Sequence, residues 1–341
     1  MTHYRAPAWL PGGHLQTIWP ALYARRVAGP RIAYRRERWD TPDGDFVDVD
    51  WLLPPPQPPH APGRPAAPLL VLFHGLEGSS RSHYAEAFAG WARTQGLAFA
   101  VPHFRGCSGE INRAPRAYHS GDWDEIGWML ARFRAAQATR GGGPLLAVGV
   151  SLGGNALLRW AGEAGVSAAQ TVAAVAAVCS PLDLAAGARA IGRGFNRQVY
   201  TRMFLRTMKT KAHAKLAQHP GLFDAGRLHA ARDLIAFDDL FTAPLHGFAG
   251  AADYYRRASA QPVLADIRVP ALALNAANDP FVPAASLPRA GEVGRHVTLW
   301  QPRAGGHVGF AQGARPPGDV LWLPRAVGGW LRAQGGWAEF E

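Results

Sequence analysis

Ser151 stands between two glycines in "GVSLG", residues 149–153, where the apolar run "LLAVGV" gives way to "GGNALLRWAGEAG". The pattern is G-x-S-x-G. In a context of strand, sharp turn and helix it lifts a serine hydroxyl clear of a sheet as a nucleophile. Small flanking residues permit the turn, and a helix starting behind the serine aims free N–H groups and its positive dipole end at a developing oxyanion. A serine that merely caps the helix is the plainer reading of the same residues.

A serine hydroxyl attacks at neutral pH only with a general base, itself held by an acid. Where the nucleophile sits on such an elbow, the chain order is serine, acid, histidine. "NDPFVP" follows the strand-like "PALALNA" and puts Asp279 at its carboxyl end. "PRAGGHVGF" follows "HVTLW" and puts His307 in a glycine-flanked loop. An oxyanion hole needs a second N–H besides that of Leu152, and "FHGLEGSS" offers the backbone of Leu76. His74 in that loop is a competing histidine, read as a brace because chain order favours His307. Asp183 in "SPLDL" is the reserve acid, and Cys107 lacks an elbow around it. His119 and Asp124 in "HSGDWD" match a short H-x-x-x-x-D pattern of acyltransferases; a helix N-terminus explains the acids as well.

The elements that must position these residues alternate. Strands are expected at 69–74, 97–104, 145–150 and 171–180, with helices over 83–96, 122–137 and 153–165, which argues a parallel sheet with helices on both faces. Ahead of them, "YRRERWDTPDGDFVDVDWLLP" reads as two antiparallel strands, with Val47, Val49 and Trp51 alternating with Asp48 and Asp50 as at a sheet edge. Residues 54–68 read as a proline-rich connector. From 183 to about 260 no strand is expected. Alternation then resumes at 270–276 and 296–300, with a closing helix from about Asp319. The expected organisation is a core of 1–182 and 261–341, with 183–260 as a helical cap over the carboxyl ends of the strands, where open α/β sheets bind ligands.

Composition excludes several classes. The 341 residues are 48% hydrophobic and 18% charged, those of a soluble globular protein. Two cysteines, Cys107 and Cys179, rule out a disulfide framework and fit a reducing cytoplasm. No signal peptide or membrane-length apolar run is seen. The net charge is +11, yet only three of the 36 basic residues are lysines, and no zinc spacing or nucleic-acid motif accompanies them. Nucleic acid is therefore not an expected partner, whereas an anionic membrane surface is open. All three lysines, Lys209, Lys211 and Lys215, fall in the cap among Arg193, Arg197, Arg202 and Arg206. With Tyr200, Met203, Phe204 and Met208 on one helical face, this segment reads either as a lid with solvated charges or as a surface for anionic lipid.

The blocks "HLQTIWP", "HGLEGSSRSHY", "FRGCSGEINRAPRAYHSGD", "GVSLGGNALLRW", "FDDLFTAPLHGF", "ADYYRRAS" and "GGHVGF" resemble the YheT-like group of α/β-hydrolases, over residues 9 to about 310. The resemblance implies an α/β-hydrolase fold, a mostly parallel twisted sheet flanked by helices, and a triad of Ser151, Asp279 and His307. The group includes bacterial proteins of unsettled substrate, yeast ester-forming acyltransferases and animal lipid hydrolases; the animal members carry an N-terminal membrane segment that this sequence lacks. The expected function is a cytoplasmic serine hydrolase of short- to medium-chain carboxylic esters, with oxyanion donors at Leu76 and Leu152. Neither a cofactor nor a metal is expected, and the partner is a small acyl ester, with no obligate protein partner. An acyltransferase, and a non-catalytic or anion-binding module on a hydrolase fold, are the alternatives.

Overall fold

The computed structural model describes residues 3–53, 67–139 and 141–336. The proline-rich connector expected at 54–68 lies, apart from its last two residues, outside them. Eight strands form one sheet: β1 (Tyr34–Asp40), β2 (Phe46–Leu52), β3 (Leu69–Phe73), β4 (Ala98–Pro102), β5 (Leu145–Val150), β6 (Ala174–Val178), β7 (Ala271–Leu274) and β8 (Val297–Trp300). Their order is β1-β2-β4-β3-β5-β6-β7-β8. The β1–β2 and β2–β4 pairs are antiparallel, and every later pair is parallel.

Central strands such as "LLVLF" and "LLAVGV" are apolar throughout because both faces of the sheet are covered. On one face α3 (Trp123–Thr139) and α4 (Leu152–Ala164) pack Met129, Phe133 and Leu157 against Val71, Ala147 and Val175. On the other, α2 (His83–Thr94) and the Trp322–Gly335 helix pack Phe88, Val327 and Leu331 against Leu72, Val148 and Leu274. Between β6 and β7 the residues from 183 to 266 hold helices and turns, the longer helices being Leu184–Ile191, Arg202–Gln218 and Ala251–Ala258. Leu205, Leu228, Phe237 and Phe241 make a small core of their own there.

One reading of the strands needs correction. The alternation in β2 does not mark an edge, because β1 lies outside it and β2 is buried along almost its whole length. Asp48 and Asp50 are buried, and arginines from β1 neutralise them in bidentate pairs. Arg38 holds Asp48 at 2.8 and 3.0 Å, and Arg36 holds Asp50 at 2.8 and 2.9 Å. The register sets Arg36 opposite Asp50 and Arg38 opposite Asp48, so each pair closes across the ladder. Removing Arg38 leaves the buried Asp48 carboxylate with Ser108 as its remaining side-chain hydrogen-bond partner and Arg36 as the nearby cation. Arg38→Ala should therefore cost about 2–3 kcal/mol in urea melts, since losing one partner strands a buried charge. Arg35→Ala, which removes an exposed arginine from half-exposed Glu37 on the same strand, should stay within about 0.5 kcal/mol. Equal losses would contradict this account.

Candidate active site

Three strand ends deliver the candidate residues. Ser151 follows β5 directly, Asp279 follows β7, and His307 follows β8. Ser151 takes φ 52° and ψ −118°, a conformation that L-residues adopt only at a cost on the order of 1–3 kcal/mol. Its glycine neighbours are required by contact. A Cβ at Gly149 would lie 2.4 Å from the Gly153 carbonyl oxygen, and one at Gly153 would lie 2.5 Å from the His74 carbonyl oxygen. The helix α4 thus presses its first turn against β3 and β5, leaving the serine at the bend. Ser151 makes no side-chain capping bond to α4, so its hydroxyl is free for other work.

That hydroxyl lies 3.0 Å from His307 Nε2. On the far side of the ring, Nδ1 lies 2.8 Å from Asp279 Oδ2. The Asp279 side chain is buried, and its other oxygen accepts from the amides of Phe281 at 2.8 Å and Val282 at 3.3 Å. The Phe281 ring packs 4.3 Å from the imidazole. Leu76 and Leu152 line the same cavity as Ser151 and His307. Among the described residues, neither of their amides donates to a protein acceptor.

The competing residues are placed elsewhere. His74 is fully buried, with both ring nitrogens engaged: Nε2 accepts from the Phe104 amide at 3.1 Å, so Nδ1 donates to the Gly75 carbonyl at 2.8 Å. Asp183 caps the Leu184–Ile191 helix by accepting from the Ala186 amide. His119 is buried with Nδ1 accepting from Gly121, its nearest carboxylate is Asp122, and Asp124 is exposed at the start of α3; the H-x-x-x-x-D spacing makes no pair. Cys107 and Cys179 are both free thiols. Burial pushes the Cys107 thiol up to about 11. Cys179, Asp279 and His307 bring metal-ligating donors within 4.8 Å of one another, but two of the three already face each other in the Asp279–His307 hydrogen bond.

Sequence reasoning missed two sets of residues. The first is on α1 (Gly12–Leu22), for which no helix was expected. Gln16 Oε1 accepts from the Asn278 side chain and the Gly305 amide, both at 2.9 Å, and Thr17 Oγ1 accepts from the His307 amide at 2.8 Å. Gln16 and Thr17 therefore hold the loops of Asp279 and His307 together. Their signal was two polar residues side by side in the apolar "HLQTIWP". The second set is Glu77, Tyr118 and Lys211, which meet at the cavity wall.

The lysines also require correction as an exposed basic face. Lys215 is buried, donating to the carbonyls of Asn112 and Ala114, and Lys211 is paired with Glu77 at 2.8 Å. The cavity itself, about 150 Å³, is walled by Leu184, Ile191, Phe204, Met208, Phe237 and Phe241. An apolar chamber opening on a serine–histidine–carboxylate relay can bind a hydrocarbon chain and present a carbonyl to the hydroxyl.

Burial, reinforced by the neighbouring His103, pushes the His74 pKa down to about 3. His74 should accordingly stay neutral throughout pH 5–8, and its imidazole ¹⁵N signals should not move over that range. A midpoint above pH 5 would show that the ring is accessible and reopen its claim to act as the base.

The alpha/beta hydrolase fold family model matches residues 68–314. The chain is 40% identical to the Escherichia coli (strain K12) protein named "Putative esterase YheT", over 93% of this chain and 89% of that one. It is 27% identical to the mouse "Phospholipase ABHD3" over 84% of this chain and 69% of that one. Among solved structures, an esterase of Pyrococcus furiosus, Pf2001, aligns with a TM-score of 0.51 at 14% identity, covering 92% of this chain and 97% of that one.

Proposed function

We propose, on the premise that the chain belongs to the YheT-like group of α/β-hydrolases, that it is a serine esterase for carboxylic esters of short- to medium-chain acyl groups. The observation carrying this reading is the unbroken relay Ser151–His307–Asp279 at the floor of an apolar cavity. Ser151 Oγ attacks the ester carbonyl while His307 Nε2 takes its proton. Asp279 holds the Nδ1–H tautomer and balances the imidazolium that forms. The tetrahedral oxygen accepts from the amides of Leu76 and Leu152. His307 then protonates the departing alkoxide, leaving an acyl group on Ser151. Water activated by the same histidine releases the acid. The acyl chain occupies the chamber between the sheet and the helices of 183–260, which serve as its cap. Two free thiols suit a reducing compartment, the cytoplasm.

A fluorophosphonate should label Ser151, and Ser151→Ala should abolish labelling. Against an ester panel graded by acyl length, His307→Ala should lose about 10³-fold or more in kcat/KM, since members of such a relay act as a unit. A label mapped to another residue would remove Ser151 from the mechanism.

The cap carries a second feature relevant to substrate delivery. Phe195, Val199 and Met203 are exposed large apolar side chains, the first at 51%. Arg197 and Arg202 are exposed between them and Arg193 and Arg206 on either side, and none of the four is ion-paired among the described residues. Successive ring contacts join Phe195 to Tyr200, Phe281 and His307, at 6.1, 4.6 and 4.3 Å. An apolar tip rimmed by cations suits transient contact with anionic lipid. The protein should sediment with phosphatidylglycerol vesicles at low salt and remain in solution with phosphatidylcholine. Paired Phe195→Ser and Met203→Ser changes, or Arg197→Glu with Arg202→Glu, should release it. Wild-type protein left in the supernatant at low salt, or retained equally by both pairs of variants, would refute the contact.

A further inference from the structure

Glu77 is the residue after Leu76, and it takes φ 56°, a conformation that favours glycine. The chain places a long acidic side chain there, so the strain must be offset by what that side chain holds. Tyr118 makes a closed ring with it. The Glu77 amide donates to the Tyr118 oxygen at 3.0 Å, and the Tyr118 hydroxyl donates back to Glu77 Oε1 at 2.8 Å. Lys211 Nζ reaches the same Oε1 at 2.8 Å from the Arg202–Gln218 helix, 134 positions along the chain, and lies 3.2 Å from Cys107 Sγ. The Glu77 side chain is only 9% exposed, so this is an ion pair largely shielded from water.

On the loop side the surroundings are tied together by side-chain contacts. Tyr118 stacks on Phe104 with the rings 8° from parallel, and the Phe104 amide is fixed to His74. His74 in turn holds the Gly75 carbonyl, two residues before Glu77. The remaining partner is the Arg202–Gln218 helix, which bears Lys211. Four residues on, Lys215 seats the same helix face on the carbonyls of Asn112 and Ala114.

We propose that Glu77 and Lys211 bolt the Arg202–Gln218 helix to the loop carrying the Leu76 amide, so that this oxyanion donor is in its productive position when the cap helix is seated. The inference rests on the esterase reading. Glu77, Tyr118 and Lys211 are positioning residues: they fix the Leu76–Glu77 peptide, which adjoins the Gly75–Leu76 peptide that bears the donor N–H and whose carbonyl His74 and the Gly78 amide hold. A misplaced donor costs less than a deleted one, for which losses of about 10²–10³ in kcat are usual. Displacements on the order of 1 Å can still be severe.

The test compares Lys211→Met, Lys211→Arg, Glu77→Gln and the double variant, with Lys209→Met as control, on a short p-nitrophenyl ester. Lys211→Met and Glu77→Gln should each lower kcat about 10- to 50-fold, with KM within about 2-fold. The double variant should be no worse than the poorer single one, because the two groups share one interaction. Lys211→Arg should recover most of the rate. A boronic acid, which presents a tetrahedral oxyanion, should lose affinity by the same factor as kcat, whereas the product acid should not. A purely structural role would instead lower melting temperature and leave the boronic acid unaffected, and that result overturns the proposal. Hydrogen exchange at the amides of residues 75–79 should quicken in Lys211→Met and not in Lys209→Met. If wild type neither cleaves esters nor takes a fluorophosphonate at Ser151, the esterase reading fails. Exchange still decides the bolt, which unchanged protection of residues 75–79 would overturn.

Discussion

The contact between the first turn of α4 and the ends of β3 and β5 sets the terms for everything near Ser151. Gly153 sits against the Phe73 and His74 carbonyls, and Gly149 against the backbone of Gly153 and Gly154, at distances no Cβ tolerates. That approach forces Ser151 into a left-handed turn and also brings the β3 loop, with Leu76 and Glu77, alongside the helix N-terminus. The bend at Ser151 and the placement of the Leu76 and Leu152 amides proposed as oxyanion donors are therefore consequences of one packing event. Two further strained residues, Cys179 and Val308, flank the same site, with Val308 donating its amide to the Cys179 sulfur at 3.3 Å. Strain of this kind persists only where surrounding structure over-determines it.

The acid and the histidine need a different support, because each sits on a loop beyond its strand. The N-terminal helix supplies it. Gln16 accepts from both loops through one oxygen, and its amide group donates to the Leu10 carbonyl at 2.9 Å, so the residue is fully engaged and buried. Glycines at 306 and 309 allow the loop to close on the Gln16 backbone. An ordinary loop histidine would sample many rotamers. Here its amide is tied to Thr17 and its ring to Asp279, so little conformational freedom is left to lose when a substrate arrives.

What the sequence made legible follows the same physics. Apolar strand runs and the G-x-S-x-G turn are local signals, so the sheet, the elbow and the strand ends holding Asp279 and His307 could be read directly. The misread charges are non-local errors. Asp48 and Asp50 looked solvent-facing because their alternation says which residues share a face, not whether another strand covers it. Lys211 and Lys215 looked like a solvated stripe because a helical projection cannot tell which face meets Asn112 and Glu77. The helix at Gly12–Leu22 carries Pro20 inside and no side-chain N-cap, so the usual start signal was missing.

The distribution of charge completes the picture. The chain is strongly basic, yet the cavity over Ser151 is largely apolar, and the cations that point inward are each answered. Arg105, buried at the wall, is shared by Asp43, Asp45 and Glu125. Lys211 faces Glu77, and Lys215 is surrounded by carbonyl and amide oxygens. An unanswered cation in that chamber would attract water and raise the local polarity against a hydrocarbon chain. In the proposed mechanism it would also compete with the Leu76 and Leu152 amides for the developing oxyanion. Neutralising the interior confines the excess charge to the exterior, where arginines gather around Phe195, Val199 and Met203. Apolar interior and cationic rim are thus two results of one partition, the one that the proposed esterase reading requires.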